Sequence, residues 1–569
     1  SSLVYRILIL PVILSVFDLY TYLWRTIRDR LVTSLAMTQL SLIYTAAALV
    51  AGFILIRLFN ALFRFKNTQN IPLICRSPRK YPHIEPILGL DLLIKTFRLL
   101  IQRRAVPGLQ ERHKKYGSTF LVNSLGQNLF HTSHPENFKA IYETNWADWG
   151  NGPARADAME PFCGRGFLTT DGEEWKRIRD MMLPAFTQSN IVDLTSFSSA
   201  WETVLDRLPD DGTTIDFAPL LYDFFLDMSG EFLLGHKLSE LSTSGGATSP
   251  RADSKNFLRA LHASQSWAVV RIVFGVIGQS FPNPKWKADC HTLHSFVDNY
   301  VENALKKQEQ ECKLLEGERS FNKDEGYRSL LECLSKHSSD RYEIRSQIIQ
   351  CILAMQDTTS TLVSNTIFLL ARHPRVWSRL RYEASQMPRE GLTAEALQGM
   401  PLLQNVIKEA LRVYPVFCTL GRTSLKDTVL PKGGGPDGSD PVFVFANSRV
   451  ITFFYGLHRQ ASVFGEDVER FNPDRWNDIA PKTWEYLPFS SGPHSCIGQH
   501  KAVIETAYVI ARLAQRFVKL ESRDDREWAG DWKLVVKNFN GCKVAVSAKT
   551  GLEELRAVQT KPFGWKDKA

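Results

Sequence analysis

From Glu343 to Arg372 the chain runs for about 30 residues without a glycine or a proline, enough for a helix about 45 Å long. Its middle reads AMQDTTST, residues 354–361. An acid and a run of hydroxyls suit the centre of an apolar helix poorly, because serine and threonine side chains compete for backbone carbonyls and bend the helix. A local preference broken inside a buried element points to a functional site. Helical periodicity prevails elsewhere, with short strand-like pieces such as PVFVF (441–445) and CKVAV (542–546). The chain therefore reads as mainly α with small β-sheets.

At 569 residues it can bury a sizeable core, as one large domain or two to three ordinary ones. An apolar fraction of 44% and a charged fraction of 23% set global disorder aside. The net charge of +9 is modest for this length and selects no partner by itself. With no zinc-finger spacing and no aromatic-basic signature, nucleic acid is not expected as a partner. The nine cysteines are scattered, with no Cys-x-x-Cys pair, which argues for a reducing compartment and against a disulfide framework. No strong domain break is visible between about residue 90 and residue 550. The polar stretch 240–256 reads as a surface loop. PKGGGPDGSDP (431–441) reads as a turn insertion between strands, since it lacks the Gly-Lys-Ser/Thr ending of a phosphate loop.

Leu31 to Ile56 contains no charged residue and is long enough to cross a bilayer. It starts too late and runs too long for a cleaved signal peptide. The earlier stretch Ile7–Trp24, interrupted by Pro11 and Asp18, reads as a helix in the membrane interface, with a second span as the alternative. Arg57, Arg64, Lys66, Arg76, Arg79 and Lys80 follow the run, so the C-terminal side is expected in the cytosol. The expected organisation is an apolar or interfacial segment (1–30), a single-pass transmembrane anchor (31–56) and a basic, proline-rich linker (57–90). A catalytic domain (91–550) and a tail (551–569) complete it.

FSSGPHSCIGQHKA, residues 489–502, carries the clearest chemical signal. Gly492 and Pro493 make a tight bend, and Gly498 lets backbone approach closely. Val503, Ala507, Ile510, Ala514 and Phe517 then repeat with helical spacing, so a helix begins just past Cys496. Backbone N–H groups and a helix start lower a thiol's pKa. Those are the needs of a thiolate metal ligand, whereas a buried cysteine in a turn has none of them.

The loop resembles that of the cytochrome P450 superfamily, Phe-x-x-Gly-x-x-x-Cys-x-Gly, at Phe489, Gly492, Cys496 and Gly498. The resemblance implies that Cys496 is the axial ligand of a haem b iron. Further segments agree. NVIKEALRVYP resembles the family's Glu-x-x-Arg helix and FNPDRW its Phe-x-Pro-x-Arg-aromatic segment, implying a structural triad of Glu409, Arg412 and Arg475. EEWKRIRDMMLPAF resembles the Trp-x-x-x-Arg helix, implying that Trp175 and Arg179 reach the haem propionates, as does Arg422. Asp357 and Thr358 match the acid–alcohol pair that relays protons to bound oxygen. Two positions depart from the pattern: Met355 stands where glycine is usual, and His494 where a propionate-binding arginine is commoner. His494 can still donate a hydrogen bond and, when charged, pair with carboxylate, so haem retention is expected to be weaker or more pH-dependent than with arginine.

What the resemblance implies is a mainly helical haem-thiolate fold and monooxygenation. One atom of O2 enters a C–H bond of a hydrophobic substrate, with electrons from NADPH through a separate NADPH–cytochrome P450 reductase. CIGQHKAVIETAYVIARL, GEDVERFNPDRW and NFNGCKVAV look closest to the membrane-bound fungal branch that hydroxylates alkanes and fatty acids. The expected substrate is a secondary metabolite of polyketide-like kind, with a fatty acid or alkane as the alternative. Phe417, Cys418 and Leu420, together with Met355, are expected beside the haem, as are residues around 150–168 and Asn540–Cys542. Lys176 and Arg177 are expected to help dock the reductase, and the endoplasmic reticulum membrane is the expected location. An O2-independent haem-thiolate isomerase or dehydratase is the rival class, disfavoured by the Asp357–Thr358 pair.

Overall fold

Helices in this chain begin where a short polar side chain can satisfy the first free N–H groups. Asp340 accepts from the N–H groups of Tyr342 and Glu343, Asp216 from that of Ala218, and Ser329 from that of Glu332. A computed structural model describes residues 72–187, 191, 193–238, 250–315, 329–388 and 391–548. The expected segments 1–30 and 31–56 and the tail 551–569 lie outside the described residues. Among the described residues no helix is long and apolar enough to cross a membrane.

The helices that frame the site are α1 (Pro153–Cys163), α2 (Gly172–Met182), α3 (Phe217–Leu234), α4 (Pro250–Ser280, kinked at Gly275) and α5 (Pro284–Leu315). They are followed by α6 (Arg341–Met355), α7 (Thr358–Leu370), α8 (Pro401–Val413) and α9 (Gln499–Arg516). Two apolar cores hold them. Phe162 of α1, Ile178 of α2, Leu261 of α4, Val297 of α5 and Ile348 of α6 share one. Phe225 of α3, Val363 of α7, Ile407 of α8 and Ile510 of α9 share the other. The long glycine-free segment thus enters one core as α6 and the other as α7.

It does so as two helices, where the sequence predicts one. The interruption falls at Gln356 and Asp357. Thr358 Oγ1 donates to the Ala354 carbonyl (2.8 Å), Ser360 Oγ to that of Gln356 (3.3 Å), and Thr361 Oγ1 to that of Asp357. These side-chain bonds compete with the backbone ladder and open it there.

Strands form a smaller layer. A six-stranded sheet runs in the spatial order Arg79–Lys80, Thr119–Ser124, Gln127–Thr132, Arg449–Phe453, Thr419–Ser424 and Trp149–Gly150. Arg79–Lys80 pairs in parallel with Phe120–Leu121, so part of the segment read as a linker belongs to this sheet. PKGGGPDGSDP joins the antiparallel strands Thr428–Gly434 and Asp440–Val444, and CKVAV supplies the central strand of a three-stranded sheet. A short hairpin, Gly530–Trp532 with Val536–Asn538, lies against α7.

Glu409 is wholly buried on α8, and every group around it donates. Arg412 reaches it through two N–H groups at 2.9 Å, Arg475 through Nε at 2.9 Å, Trp476 through Nε1 at 3.0 Å and Asn472 through its backbone N–H at 2.9 Å. Arg412 spends its remaining donors on the carbonyls of His458, Val468 and Arg470. The network ties α8 to the irregular stretch 458–476. His458, also wholly buried, then accepts the Leu487 N–H at 3.0 Å and so reaches the start of the cysteine loop.

Glu409→Ala leaves two buried guanidiniums without their carboxylate, and urea unfolding should show a loss of about 3–5 kcal/mol. A second expectation follows from burial, which pushes His458 and His113 down to about 3. Both are neutral when folded, while the unfolded chain takes up their protons below about pH 6.5. Stability from these groups is therefore intact above that value. It falls by about 1.4 kcal/mol per group and pH unit as the pH drops toward 3. Denaturant titrations at pH 7.5, 6 and 5 read the slope.

Candidate active site

The cysteine loop is held open by its own backbone. Gly492 sits at φ +65°, and a Cβ there would fall 1.9 Å from the Tyr142 carbonyl oxygen. Only glycine fits. Ser495 N–H donates back to Gly492 O and Cys496 N–H to Phe489 O, both at 3.0 Å, while Ser491 Oγ donates to the Glu143 carboxylate. Gly498 is the residue before α9, so Cys496 lies two residues ahead of that helix. Its side chain is exposed to a hollow rather than to bulk water: protein atoms surround it, and that enclosure raises the thiol. The Gly498 backbone N–H and the Arg179 guanidinium pull it back toward the thiolate. Among the described residues no group of three or more His, Cys, Asp or Glu side chains is placed to hold a metal. A metal at Cys496 therefore needs a cofactor that brings its other ligands.

Cationic and aromatic groups collect nearby. Trp175 is buried on α2, with the Arg179 guanidinium 5.6 Å from its ring. His494 lies against Trp175 with ring centroids 3.8 Å apart and meets Trp146 edge-on at 5.9 Å. The Arg422 guanidinium stands 5.3 Å from the Tyr142 ring and donates to the Gly421 carbonyl. Burial, then Arg422 and Arg179, push His494 down to about 3. In the protein by itself the neutral ring keeps one N–H donor, and two guanidiniums already occupy its surroundings.

Arg155 joins this group from α1. Burial and then Arg422 lower it to about 10, and its buried Nε has no hydrogen-bond partner. Sequence reasoning did not single it out, since an arginine among small residues in GPARADAME reads as surface. Trp175, Arg179, Arg422, His494 and Arg155 thus meet within electrostatic reach of one another. Cations packed together with an orphaned donor fit a ligand bearing carboxylates. With a thiol offered to iron nearby, these residues fit haem b on their chemistry.

Asp357 and Thr358 occupy the break between α6 and α7. The Thr358 hydroxyl is engaged with Ala354 O, and the Asp357 carboxylate accepts from Lys537 Nζ at 2.6 Å. Lys537, on the short hairpin, was also missed, because a contact 180 residues away leaves no periodic trace. Met355 ends α6, half-buried against the core of α1, α2 and α4–α6, which Ile497 also borders. Phe417 and Leu420 are half-buried beside other apolar clusters. Cys418 is buried with Val106 and Val536, and burial takes its thiol up to about 12. Gln350 of α6 donates to Cys163 O and Gly164 O and accepts the Leu168 N–H, fixing the 163–168 segment onto α6. Arg177 pairs with Glu343, whereas Lys176 is exposed.

A family model for cytochrome P450 matches residues 87–539. The cytochrome P450 monooxygenase fsdH of Fusarium heterosporum is 33% identical over 548 residues, 93% of this chain and 92% of that protein. The cytochrome P450 monooxygenase himC of Aspergillus japonicus is 32% identical, covering 88% of this chain and 89% of the relative. Cytochrome P450 52A13 of Debaryomyces hansenii is 31% identical, covering 88% and 96%.

Gly492→Ala should lower the Tm, with about 1–2 kcal/mol from the left-handed backbone alone and the overlap with Tyr142 added to it. Gly172 also has a positive φ but opens onto free space. Gly172→Ala should therefore cost only the backbone share, and differential scanning calorimetry of the two variants checks the difference.

Proposed function

The chain belongs to the cytochrome P450 family of monooxygenases, and from that premise we propose that it hydroxylates a hydrophobic secondary metabolite of polyketide-like kind, using haem b held by Cys496. The observation that carries the site is the thiol at the head of α9 beside the cluster of Arg155, Arg179, Arg422 and His494. Bound haem supplies O2 activation and transfer of one oxygen atom into a C–H bond, the other leaving as water. Electrons come from NADPH through a separate reductase.

The chain's own residues divide the remaining work. Cys496 presents its sulfur to the iron, with the Gly498 N–H and Arg179 favouring the thiolate. Arg155, Arg179, Arg422 and neutral His494 take the propionates, Trp175 stacking on His494 to fix its ring. Asp357 and Thr358 pass protons inward from the break between α6 and α7. Apolar side chains at Met355, Phe417 and Leu420 support a hydrophobic substrate. The departures at Met355 and His494 support a pocket specialised away from simple alkanes and fatty acids. The anchor expected at 31–56 and the exposed Lys176 support an endoplasmic reticulum enzyme that docks an acidic reductase on its cytosolic side.

Reduced protein under carbon monoxide should give the difference band of a haem-thiolate, and Cys496→Ala should lose it. With NADPH and reductase, product analysis over polyketide intermediates and fatty acids should give hydroxylated polyketide. Fatty-acid products alone would overturn the substrate reading while leaving the haem-thiolate reading intact.

A further inference from the structure

Asp357 stands at the residue before α7 but in helical backbone (φ −95°, ψ −24°), not the extended backbone from which a capping acid reaches the first free N–H groups. It makes no such bond. Its carboxylate points instead to Lys537, 2.6 Å away on the hairpin, and that ammonium is held from behind. The Tyr222 ring lies 4.8 Å from Nζ. Tyr222 is in turn fixed through its hydroxyl by His262 at 2.7 Å and by Gln356, the residue beside Asp357. The hairpin is itself anchored. Val536 N–H donates to Val416 O at 3.0 Å, and Trp528 Nε1, just before the hairpin, donates to Asn365 Oδ1 of α7 at 3.2 Å. The ammonium remains 37% exposed while Asp357 is 13% exposed, so the pair spans from solvent to the helix break.

We propose that Lys537 is a positioning residue for proton delivery: it holds the Asp357 carboxylate aligned with the break where Thr358 lies. Without it, the carboxylate rotates away from the break and is lost to the relay. The inference rests on the proton-delivery role of Asp357. It adds a residue that acts through that acid.

The test needs no known substrate. With NADPH and reductase alone, O2 leaves either as water, taking four electrons and four protons, or as hydrogen peroxide, taking two of each. Slow proton delivery favours peroxide. Lys537→Met should raise the peroxide formed per NADPH by about twofold or more. Lys537→Arg should restore the unsubstituted value, since it keeps the charge and the reach. Asp357→Asn should raise the share as well, and the double variant should add nothing. If Asp357→Asn raises the peroxide share and Lys537→Met does not, the positioning role is overturned. If neither raises it, the proton-delivery reading of Asp357 falls first. If Lys537→Arg fails to rescue, the lysine's own proton matters rather than its position, and the proposal is wrong in that form.

Discussion

A carboxylate wholly out of water, Glu409, sets the frame in which everything else is placed. An ionised group there persists only because Oε1 accepts from Arg412, Arg475 and the Asn472 N–H, and Oε2 from Arg412 and Trp476. Those donors come from α8 and from 458–476, stretches that Arg459 also joins through the Arg412 and Val413 carbonyls and Phe471 through the shared core. The arrangement passes on to His458, and from there to Leu487 and the bend at Gly492. The thiol's place is thus fixed by a chain of polar contacts that runs behind the loop rather than through it.

In front of the loop the constraint is different. α6 and α7 each belong to a different apolar core, so the peptide joining them is held from both ends by packing. Polar side chains at that joint would destabilise an ordinary helix interior. Here they reshape it, since each hydroxyl takes a carbonyl that the ladder gives up. A rigid scaffold and a locally opened backbone occur side by side, which suits a site that must hold a ring still while protons move past it.

Much of this was legible in advance because several signals are local. Gly492, Phe489, Cys496 and Gly498 lie within ten residues, and Trp175 and Arg179 one helical turn apart, so each short segment can carry a family resemblance by itself. Glu409 and Arg412 were readable for the same reason. What spacing does not carry is a contact between distant segments. Lys537 meets Asp357 across 180 residues, and Arg155 meets Arg422 across a sheet and several helices. Cys418 is a further contact of that kind: just ahead of its strand it clusters with Val106 and Val536, far away in the chain. The helix break was half visible, as a clash between composition and length, but its effect on the backbone needed the two cores.

The gathering of Arg155, Arg179 and Arg422 has a consequence beyond catalysis. Like charges brought together in a poorly hydrated place oppose the fold that assembles them; Asp171 offsets part of this at Arg155, whose buried Nε still has no hydrogen-bond partner. A doubly anionic ligand removes that opposition, so its binding adds directly to the stability of the folded chain. If that ligand is the haem proposed for this site, chains made faster than it is supplied keep the opposition and are the ones quality control removes.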